Sequence, residues 1–251
     1  MSKPTKPIQR PMNIVLVKLS SMGDIIHALA VVNDIKRVYP EATITWVVDQ
    51  MFSELLSWHP HIDHVIVLPM RAWSKNLLNF NAWKALCRAL NNVKKHHYDC
   101  IIDLQGLLKT AILCLLFRGK RHGPNRHSAR EPLASLFYQA RYSILTCEHA
   151  VKRNRLMVQL ALQLPTDLPL DYGLNPATKP KKSRPYLMFF HGTTWPNKHW
   201  PTTHWTALAQ LAVDAGYRVY LPSSNAVEAA RAEQIASVSK QSVMCLPQSS
   251  L

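Results

Sequence analysis

An acidic residue stands at the start of the first apolar helix that the sequence predicts. Asp24 follows a short apolar run and has the capping-box spacing to Ser21. One interpretation is that Asp24 only caps the helix. The other is that it reacts, because ligands bind outside the carboxyl ends of strands in open α/β sheets and Gly23 would let a ligand approach the backbone. A carboxylate there could take a proton from a hydroxyl nucleophile.

A second polar stretch, HGTTWPNKHWP, occupies residues 191–201 and follows another apolar run. It contains the hydroxyls of Thr193 and Thr194 and the ammonium of Lys198, and a helix is predicted to begin near Thr202. Hydroxyls, backbone N–H groups and the positive end of a helix are donors that suit a phosphate. The spacing is not that of a P-loop, and a polar loop with a capping threonine is an equal alternative on spacing alone.

A third feature is the basic stretch RGKRHGPNRHSAR at residues 118–130, which includes Arg121 and Arg130. It is predicted to be a loop, either a solvated one or an anion-binding surface to which Arg71, Lys75, Arg153 and Arg155 would contribute if they face it. It lacks the interleaved aromatic residues of single-stranded nucleic-acid binders. The twelve histidines of the chain include no HExxH pattern and no Cys/His cluster. The sequence therefore favours neither nucleic-acid binding nor a metal site.

Strand-like runs alternate with helical ones along the chain. Strands are predicted over residues 13–19, 43–49, 64–69 and 98–106, and helices over residues 24–39, 80–97 and 148–164. β-branched runs separated by helices of this length indicate βαβ units, and hence a parallel sheet with helices on both faces.

Residues 164–185 show neither period and hold five of the 17 prolines, which predicts an inter-domain linker. The alternation then restarts, with strands over 186–192, 217–222 and 242–247 and helices over 202–214 and 226–238. The predicted organisation is one domain over 12–163, the linker over 164–185, and a second domain over 186–251.

Net charge is unevenly distributed along the 251 residues. The whole chain has 30 Lys and Arg against 15 Asp and Glu, a net charge of +15, and residues 1–163 alone hold 22 against 10, or +12. Such an excess predicts an anionic partner for the first domain. No signal peptide or membrane-length apolar run is found, so a cytoplasmic protein is expected. The five cysteines show no CxxC pairing and are predicted to be buried free thiols.

Five segments together resemble the heptosyltransferase I branch of glycosyltransferase family nine: SSMGDIIHALA, DLQGLLKT, AREPLASLFY, EHAVKR and the HGTT…KHWP stretch. The resemblance extends from about residue 12 to the C-terminus. It implies an α/β protein of the GT-B type with two Rossmann-like domains and parallel sheets. The first domain would bind the acceptor and the second, incomplete here, the nucleotide sugar.

The resemblance also implies a reaction and its residues. An inverting transferase would move L-glycero-D-manno-heptose from ADP-heptose to Kdo of Kdo-lipid A, in lipopolysaccharide inner-core biosynthesis, with Asp24 as general base. The implied donor-binding residues are Thr193, Thr194, Lys198 and Glu228, and the implied acceptor-binding residues are Ser21, Gly23, Arg71, Trp73, Lys75, Arg121 and Arg130. No metal or other cofactor and no nucleic acid is expected. The enzyme would lie on the cytoplasmic face of the inner membrane, in peripheral contact with its anionic surface.

Members of this family continue past the length of this chain, with a D-T-G-L-x-H loop that grips the ADP diphosphate. Two hypotheses about function follow. One is a heptosyltransferase. The alternative is a truncated, catalytically inactive remnant that retains binding of the anionic acceptor or of lipid. A third hypothesis, nucleic-acid binding, rests on charge alone.

Overall fold

The computed structural model describes residues 11–70, 96–174, 185–193 and 196–247. The chain divides into two compact units, Met1–Asn175 and Pro176–Leu251. The boundary falls within the predicted linker, and residues 164–174 belong to the first unit. The helix predicted over residues 80–97 lies almost wholly outside the described residues.

The first unit contains a six-stranded sheet. Its strands are β1 (Asn13–Val17), β2 (Thr43–Asp49), β3 (His64–Leu68), β4 (His97–Asp103), β5 (Arg118–Pro124) and β6 (Ala140–Tyr142). They are ordered β3-β2-β1-β4-β5-β6, and every neighbouring pair is parallel. The chain leaves β1 towards one edge and returns to β4 on its other side, so the order reverses between these two strands. Sheets of this kind form a ligand-binding crevice at that point, outside the carboxyl ends of the strands.

Helices lie on both sides of this sheet. They are α1 (Met22–Val38), α2 (Ser53–Ser57), α3 (Leu108–Cys114) and α4 (Ala150–Leu162), with 3-10 turns at Gln50–Phe52 and Pro132–Phe137. α1 ends two residues before Pro40, because a proline disfavours helical conformation in the residue that precedes it.

β1 shows why the sheet must be covered on both faces. Ile14 and Leu16 enter one buried apolar cluster, to which α1 and α4 contribute. Val15 and Val17 point the other way and enter a second cluster that includes residues of α3. All four side chains are fully buried. A strand buried on both faces reads as a continuous apolar run, which is why the sequence predicted it.

The prediction of a basic loop over residues 118–130 is wrong for its first half, which forms β5. Its exposed amino-terminal end carries the charges, whereas His122, Gly123 and Pro124 are buried. Two glycines explain how so polar a segment fits between β4 and β6. A Cβ atom on Gly119 would lie 2.2 Å from the carbonyl oxygen of Tyr98, and one on Gly123 would lie 2.4 Å from the ring of Tyr138.

The second unit contains a parallel sheet in the order β7-β8-β9. Its elements are β7 (Tyr186–Met188), α5 (Thr202–Asp214), β8 (Arg218–Leu221), α6 (Ala226–Ala236) and β9 (Val243–Cys245), with a 3-10 turn at Pro196–Lys198. Phe189, Val219 and Leu221 form its core together with apolar side chains of both helices.

Most predicted elements are confirmed, two of them, β2 and α5, at their exact bounds. β5, β6, α2 and α3 were not predicted. Burial of the thiols is confirmed for Cys100 and Cys114 and wrong for Cys147 and Cys245, which are exposed. Among the helices of the described residues, none combines the length and apolarity needed to cross a bilayer.

Candidate functional site

Asp24 lies in the first turn of α1, directly after the loop that leaves β1. Asp24 forms the predicted capping box with Ser21, and this geometry is compatible with both interpretations of the residue. Oδ2 of Asp24 accepts hydrogen bonds from the backbone N–H and from the hydroxyl of Ser21, each at 3.2 Å. Within the described residues Oδ1 accepts no hydrogen bond. The cap therefore orients the carboxylate and leaves one oxygen available.

A cavity of about 430 Å³ opens beside Asp24 within the first unit. It lies at the carboxyl ends of β1 and β4, where the strand order reverses. The charged and amide side chains that line it are Lys18, Asp24, Gln105, Arg130, Arg153 and Asn154. Three cations therefore share a cavity with one carboxylate, an arrangement that favours an anionic ligand.

Lys18 is the most deeply buried of the three cations, because it directly follows the last residue of β1. It is 8% exposed, whereas Arg153 is half-buried and Arg130 is exposed. Its ammonium donates a hydrogen bond of 2.8 Å to the carbonyl oxygen of Leu104. Burial lowers the pKa of Lys18, although the negative charge of Asp24 opposes the shift.

The loop after β4 is tied to the loop after β1. The carboxyl group of Asp103 is fully buried and accepts hydrogen bonds from the backbone N–H of Gln105, at 2.8 Å, and of Gly106, at 3.1 Å. The Tyr138 hydroxyl donates a third bond of 2.7 Å, and burial raises the pKa of Asp103. Gln105, held in this way, accepts a bond of 2.8 Å from the N–H of Leu19 through its side-chain oxygen. Both loops at the cavity are thus fixed together.

Of the other predicted acceptor-binding residues, Arg130 lines the cavity, and Ser21 and Gly23 stand at the start of α1 beside Asp24. Arg121 does not line it, and its Nε donates to the carbonyl oxygen of Phe137 at 3.0 Å. The remaining three residues, Arg71, Trp73 and Lys75, lie outside the described residues.

The predicted donor-binding residues that the structure describes lie in the second unit, after β7 and at the start of α6. Asn225 caps α6, and Glu228 accepts hydrogen bonds from the N–H and the hydroxyl of Ser224, at 2.8 and 2.7 Å. These bonds lower the pKa of Glu228. A Cβ atom on Gly192 would lie 2.3 Å from the Glu228 carboxylate, so the two segments approach closely. Thr194 lies outside the described residues.

His199 joins this segment to α6. Its Nε2 lies 2.8 Å from the carbonyl oxygen of Thr193, which can only accept, so Nε2 carries the proton. Nδ1 then accepts a short hydrogen bond from Arg231, which also donates to the carbonyl oxygen of His191 at 3.1 Å. Lys198, exposed at the end of its 3-10 turn, directly precedes this histidine.

Within the described residues no group of three or more His, Cys, Asp or Glu side chains is arranged to hold a metal ion. The protein groups available to bind a ligand at the two candidate sites are hydrogen-bond donors, cations and single carboxylates.

Two parallel sheets, with a charged cavity where the first changes strand order, define an α/β protein of the kind that binds ligands at the carboxyl ends of its strands. A family model described as Glycosyltransferase family 9 (heptosyltransferase) matches residues 84–251. The chain belongs to glycosyltransferase family 9.

Curated relatives and a solved structure agree with this family. Lipopolysaccharide heptosyltransferase 1 of Pseudomonas aeruginosa is 40% identical over 90% of this chain and 64% of its own length. The same enzyme of Salmonella typhimurium is 36% identical over 90% of this chain and 73% of its own length. The structure of E. coli heptosyltransferase WaaC with ADP is 35% identical, with a TM-score of 0.88 over 96% of this chain and 76% of that chain. This likeness confirms the predicted fold class.

Sequence reasoning missed Lys18, Gln105, His199 and Arg231, and it named Arg153 only as a possible contributor. Lys18 did leave a signal in the sequence, because it interrupts the apolar run of β1 at its carboxyl end, where parallel sheets bind ligands. Gln105 left a similar one, because it lies two residues after the end of β4. No sequence pattern indicated His199 and Arg231, because they form hydrogen bonds with backbone carbonyl oxygens and with each other.

Proposed function

We propose that this chain transfers L-glycero-D-manno-heptose from ADP-heptose to a hydroxyl group of Kdo in Kdo-lipid A. The names of its relatives and the ADP in the E. coli structure support this proposal. The observation that carries it is the position of Asp24 in a cationic cavity at the carboxyl ends of β1 and β4, with one carboxylate oxygen that accepts no hydrogen bond from the described residues.

Asp24 acts as the general base through Oδ1, because Oδ2 is bound to Ser21. Oδ1 takes the proton of the acceptor hydroxyl while that oxygen forms a bond to C1 of the heptose. The bond from C1 to the diphosphate oxygen breaks, and its electron pair leaves with ADP. Attack from the side opposite the leaving group inverts the configuration at C1.

The second unit supplies the donor contacts in this proposal. Thr193, Thr194 and Lys198 bind the diphosphate, and Glu228 binds the ribose hydroxyls. The ammonium and the hydroxyl and backbone donors offset the negative charge that develops on ADP, so no metal ion takes part. Turnover in the presence of EDTA tests this point.

Arg130 and the other cations of the first unit bind the anionic acceptor. The acceptor is a lipid, and residues 1–163 carry a formal charge of +12, so the enzyme works in peripheral contact with the anionic cytoplasmic face of the inner membrane. Sedimentation with vesicles that contain anionic lipid tests this contact, and added salt should weaken it.

The test of the activity is ADP release by the full chain from ADP-heptose with Kdo-lipid A as acceptor. We expect release that requires both substrates and that yields the heptosylated lipid by mass spectrometry. Binding of Kdo-lipid A without any ADP release would overturn the proposed transfer.

A further inference from the structure

Apolar side chains are exposed on α3 and on the 3-10 turn at Pro132–Phe137. One side of α3 is buried in the core, while Ile112 and Leu115 are left about half exposed. In the turn, Leu133 and Leu136 are 63% and 65% exposed, and their spacing of three residues places them on one side of a 3-10 helix. Single exposed leucines are common, but four such side chains on two neighbouring elements are typical of a docking surface.

α3 and the turn pack against each other, so their exposed side chains belong to one region of the first unit. Ala111 of α3 and Ala134 of the turn share a buried cluster with Tyr138. The carboxylate of Glu131, directly before the turn, accepts a hydrogen bond of 2.6 Å from the N–H of Leu108. The exposed apolar residues directly adjoin the two packed alanines in the sequence.

The chain around these elements is strongly basic. Residues 104–147, which follow β4 and include α3, β5, the turn and β6, hold seven Lys and Arg against one acid, a net charge of +6. The one acid is the glutamate that is bonded to α3. Arg121 and Arg141 donate through Nε to the carbonyl oxygens of Phe137 and Tyr138, at 3.0 and 3.1 Å. Their guanidinium groups therefore lie at the end of the turn, next to its exposed leucines.

Both elements begin at the cavity beside Asp24. Leu104 and Gln105 line that cavity and lead into α3, while Ala129 and Arg130 line it and lead into the turn. The exposed apolar residues therefore follow directly from two walls of the cavity. A ligand that is held there by its polar part and carries long apolar chains would have those chains close to α3 and the turn.

We propose that this region docks on a bilayer that contains anionic phospholipid. Its apolar side chains enter the boundary between head groups and acyl chains, and its cations bind the lipid phosphates. Leucines interspersed with cations complement an anionic bilayer better than they complement the apolar face of another protein. That the same bilayer holds the acceptor rests on the proposed function. The α3 surface, as we call it, consists of Lys109, Ile112, Leu115, Arg121, Leu133, Leu136 and Arg141.

The experiment is sedimentation of the full chain with vesicles of phosphatidylethanolamine and phosphatidylglycerol, without either substrate. Leu133→Ser with Leu136→Ser removes two apolar side chains and no charge, and we expect the affinity for the vesicles to fall at least about tenfold. Leu160→Ser with Leu211→Ser is the matched control, because both leucines are exposed outside the α3 surface. Equal binding by the two double variants would overturn the proposal, as would an absence of vesicle binding by the unaltered chain.

Lys109 tests the electrostatic part of the proposal. It is exposed and belongs to no ion pair among the residues that the structure describes. We expect Lys109→Gln to weaken vesicle binding by about fivefold, since a basic residue near an anionic bilayer contributes that much. Lys240→Gln, which removes the same charge from an exposed position in the second unit, should not change it. Equal binding to vesicles of phosphatidylcholine alone, which have no net charge, would overturn the anionic specificity.

Leu133→Trp should change the affinity in the opposite direction. Tryptophan is favoured at the membrane interface, so we expect this variant to bind the vesicles at least about twofold more tightly. Equal or weaker binding by the folded variant would contradict the proposal. Should the double serine variant not fold, Leu133→Trp and Lys109→Gln decide.

Sedimentation velocity of the full chain distinguishes a bilayer from a second copy of the chain. We expect the double serine variant and the unaltered chain to have the same oligomeric state. Self-association that Leu133→Ser with Leu136→Ser abolishes, while vesicle binding stays unchanged, would assign the α3 surface to a second copy and overturn the proposal.

The α3 surface and the proposed function can fail separately. Vesicle binding is measured without substrates, so an absence of turnover leaves the result for the α3 surface intact. If turnover is found, the double serine variant should release ADP at the unaltered rate with a deacylated, water-soluble acceptor, and more slowly with Kdo-lipid A in vesicles. Equal slowing with both acceptors would place the leucines in the transfer reaction and overturn their role in docking.

Discussion

The guanidinium of Arg155 grips the carboxylate of Asp34 with two hydrogen bonds, of 2.7 Å from Nε and 2.9 Å from a terminal nitrogen. The side chain of Asp34 is 1% exposed and that of Arg155 is 15% exposed. The pair joins α4 to α1. Because α1 carries Asp24 and α4 carries Arg153, it fixes two walls of the cavity beside Asp24 relative to each other.

Breaking this pair from one side should destabilise the first unit strongly. Arg155→Met leaves the buried carboxylate of Asp34 without its partner, and we expect the free energy of unfolding to fall by about 3–5 kcal/mol. The double variant with Asp34→Leu should recover much of the loss. Urea denaturation followed by circular dichroism measures both values.

Lys152→Met is the control for this experiment, because its pair with Glu148 is exposed. It should change the free energy of unfolding by no more than about 0.5 kcal/mol. A similarly small effect in Arg155→Met would show that the buried pair does not hold the two helices together.

Replacing the proposed base should abolish turnover while leaving the fold intact. Asp24→Asn keeps an oxygen that accepts from Ser21, so the helix cap should survive, but the amide cannot take a proton. We expect the rate of ADP release to fall by about 10²–10⁴-fold with little change in Tm. Glu54→Gln, which neutralises an exposed carboxylate of α2, should keep the full rate. A full rate in Asp24→Asn would exclude this residue as the base.

Two glycines of the first unit should respond in opposite ways to alanine. A Cβ atom on Gly23 meets nothing within 4 Å, so Gly23→Ala should raise the free energy of unfolding by about 0.5–1 kcal/mol. Its KM for Kdo-lipid A should rise if the acceptor contacts the backbone there. Gly123→Ala places its Cβ against the Tyr138 ring and should cost about 1–3 kcal/mol. An unchanged KM in Gly23→Ala would remove this glycine from the acceptor-binding set.

The ammonium of Lys198 should act on the donor and not on the acceptor. Lys198→Met removes a charged donor from the diphosphate site, and we expect the KM for ADP-heptose to rise by about tenfold or more. The KM for Kdo-lipid A should not change. Steady-state kinetics of Lys198→Met and of Lys240→Met, an equal change of charge elsewhere in the unit, provide the comparison. Equal kinetics in the two variants would place Lys198 outside the donor site.

Stability should decline in mild acid because of a buried imidazole. Burial lowers the pKa of His59 from 6.5 to about 4. Between these pH values the unfolded chain binds a proton that the folded one excludes, so the contribution is complete above pH 6.5 and is lost as the pH falls towards 4. The slope is at most about 1.4 kcal/mol per pH unit, and His59→Gln should reduce it. His122, lowered to about 4 as well, allows the same test at a second position. An unaltered slope in both variants would contradict this account.

The central strands and long helices could be predicted because burial leaves a periodic trace in the sequence. β1 and β2 are buried on both faces and read as unbroken apolar runs, and α1 and α5 carry helical periodicity up to a proline or a turn. β5 could not be predicted in this way, because its charged residues lie at the exposed end of the strand. Its two glycines are needed because Tyr98 and Tyr138 pack closely against them. These two partners are distant in sequence, so no local pattern could show that a strand fits there.

The sequence by itself determined the alternation of strands and helices, the carboxylate after the first strand, the basic excess of the first domain and the family. Only the tertiary structure decided that Lys18, Gln105 and Arg153 share a cavity with Asp24, and that Arg121 does not. Local propensity acts over a few residues, whereas this cavity is assembled by the parallel order of β1 and β4 and by the packing of α4 on α1. These contacts join residues from widely separated parts of the chain, and the three-dimensional fold alone specifies them.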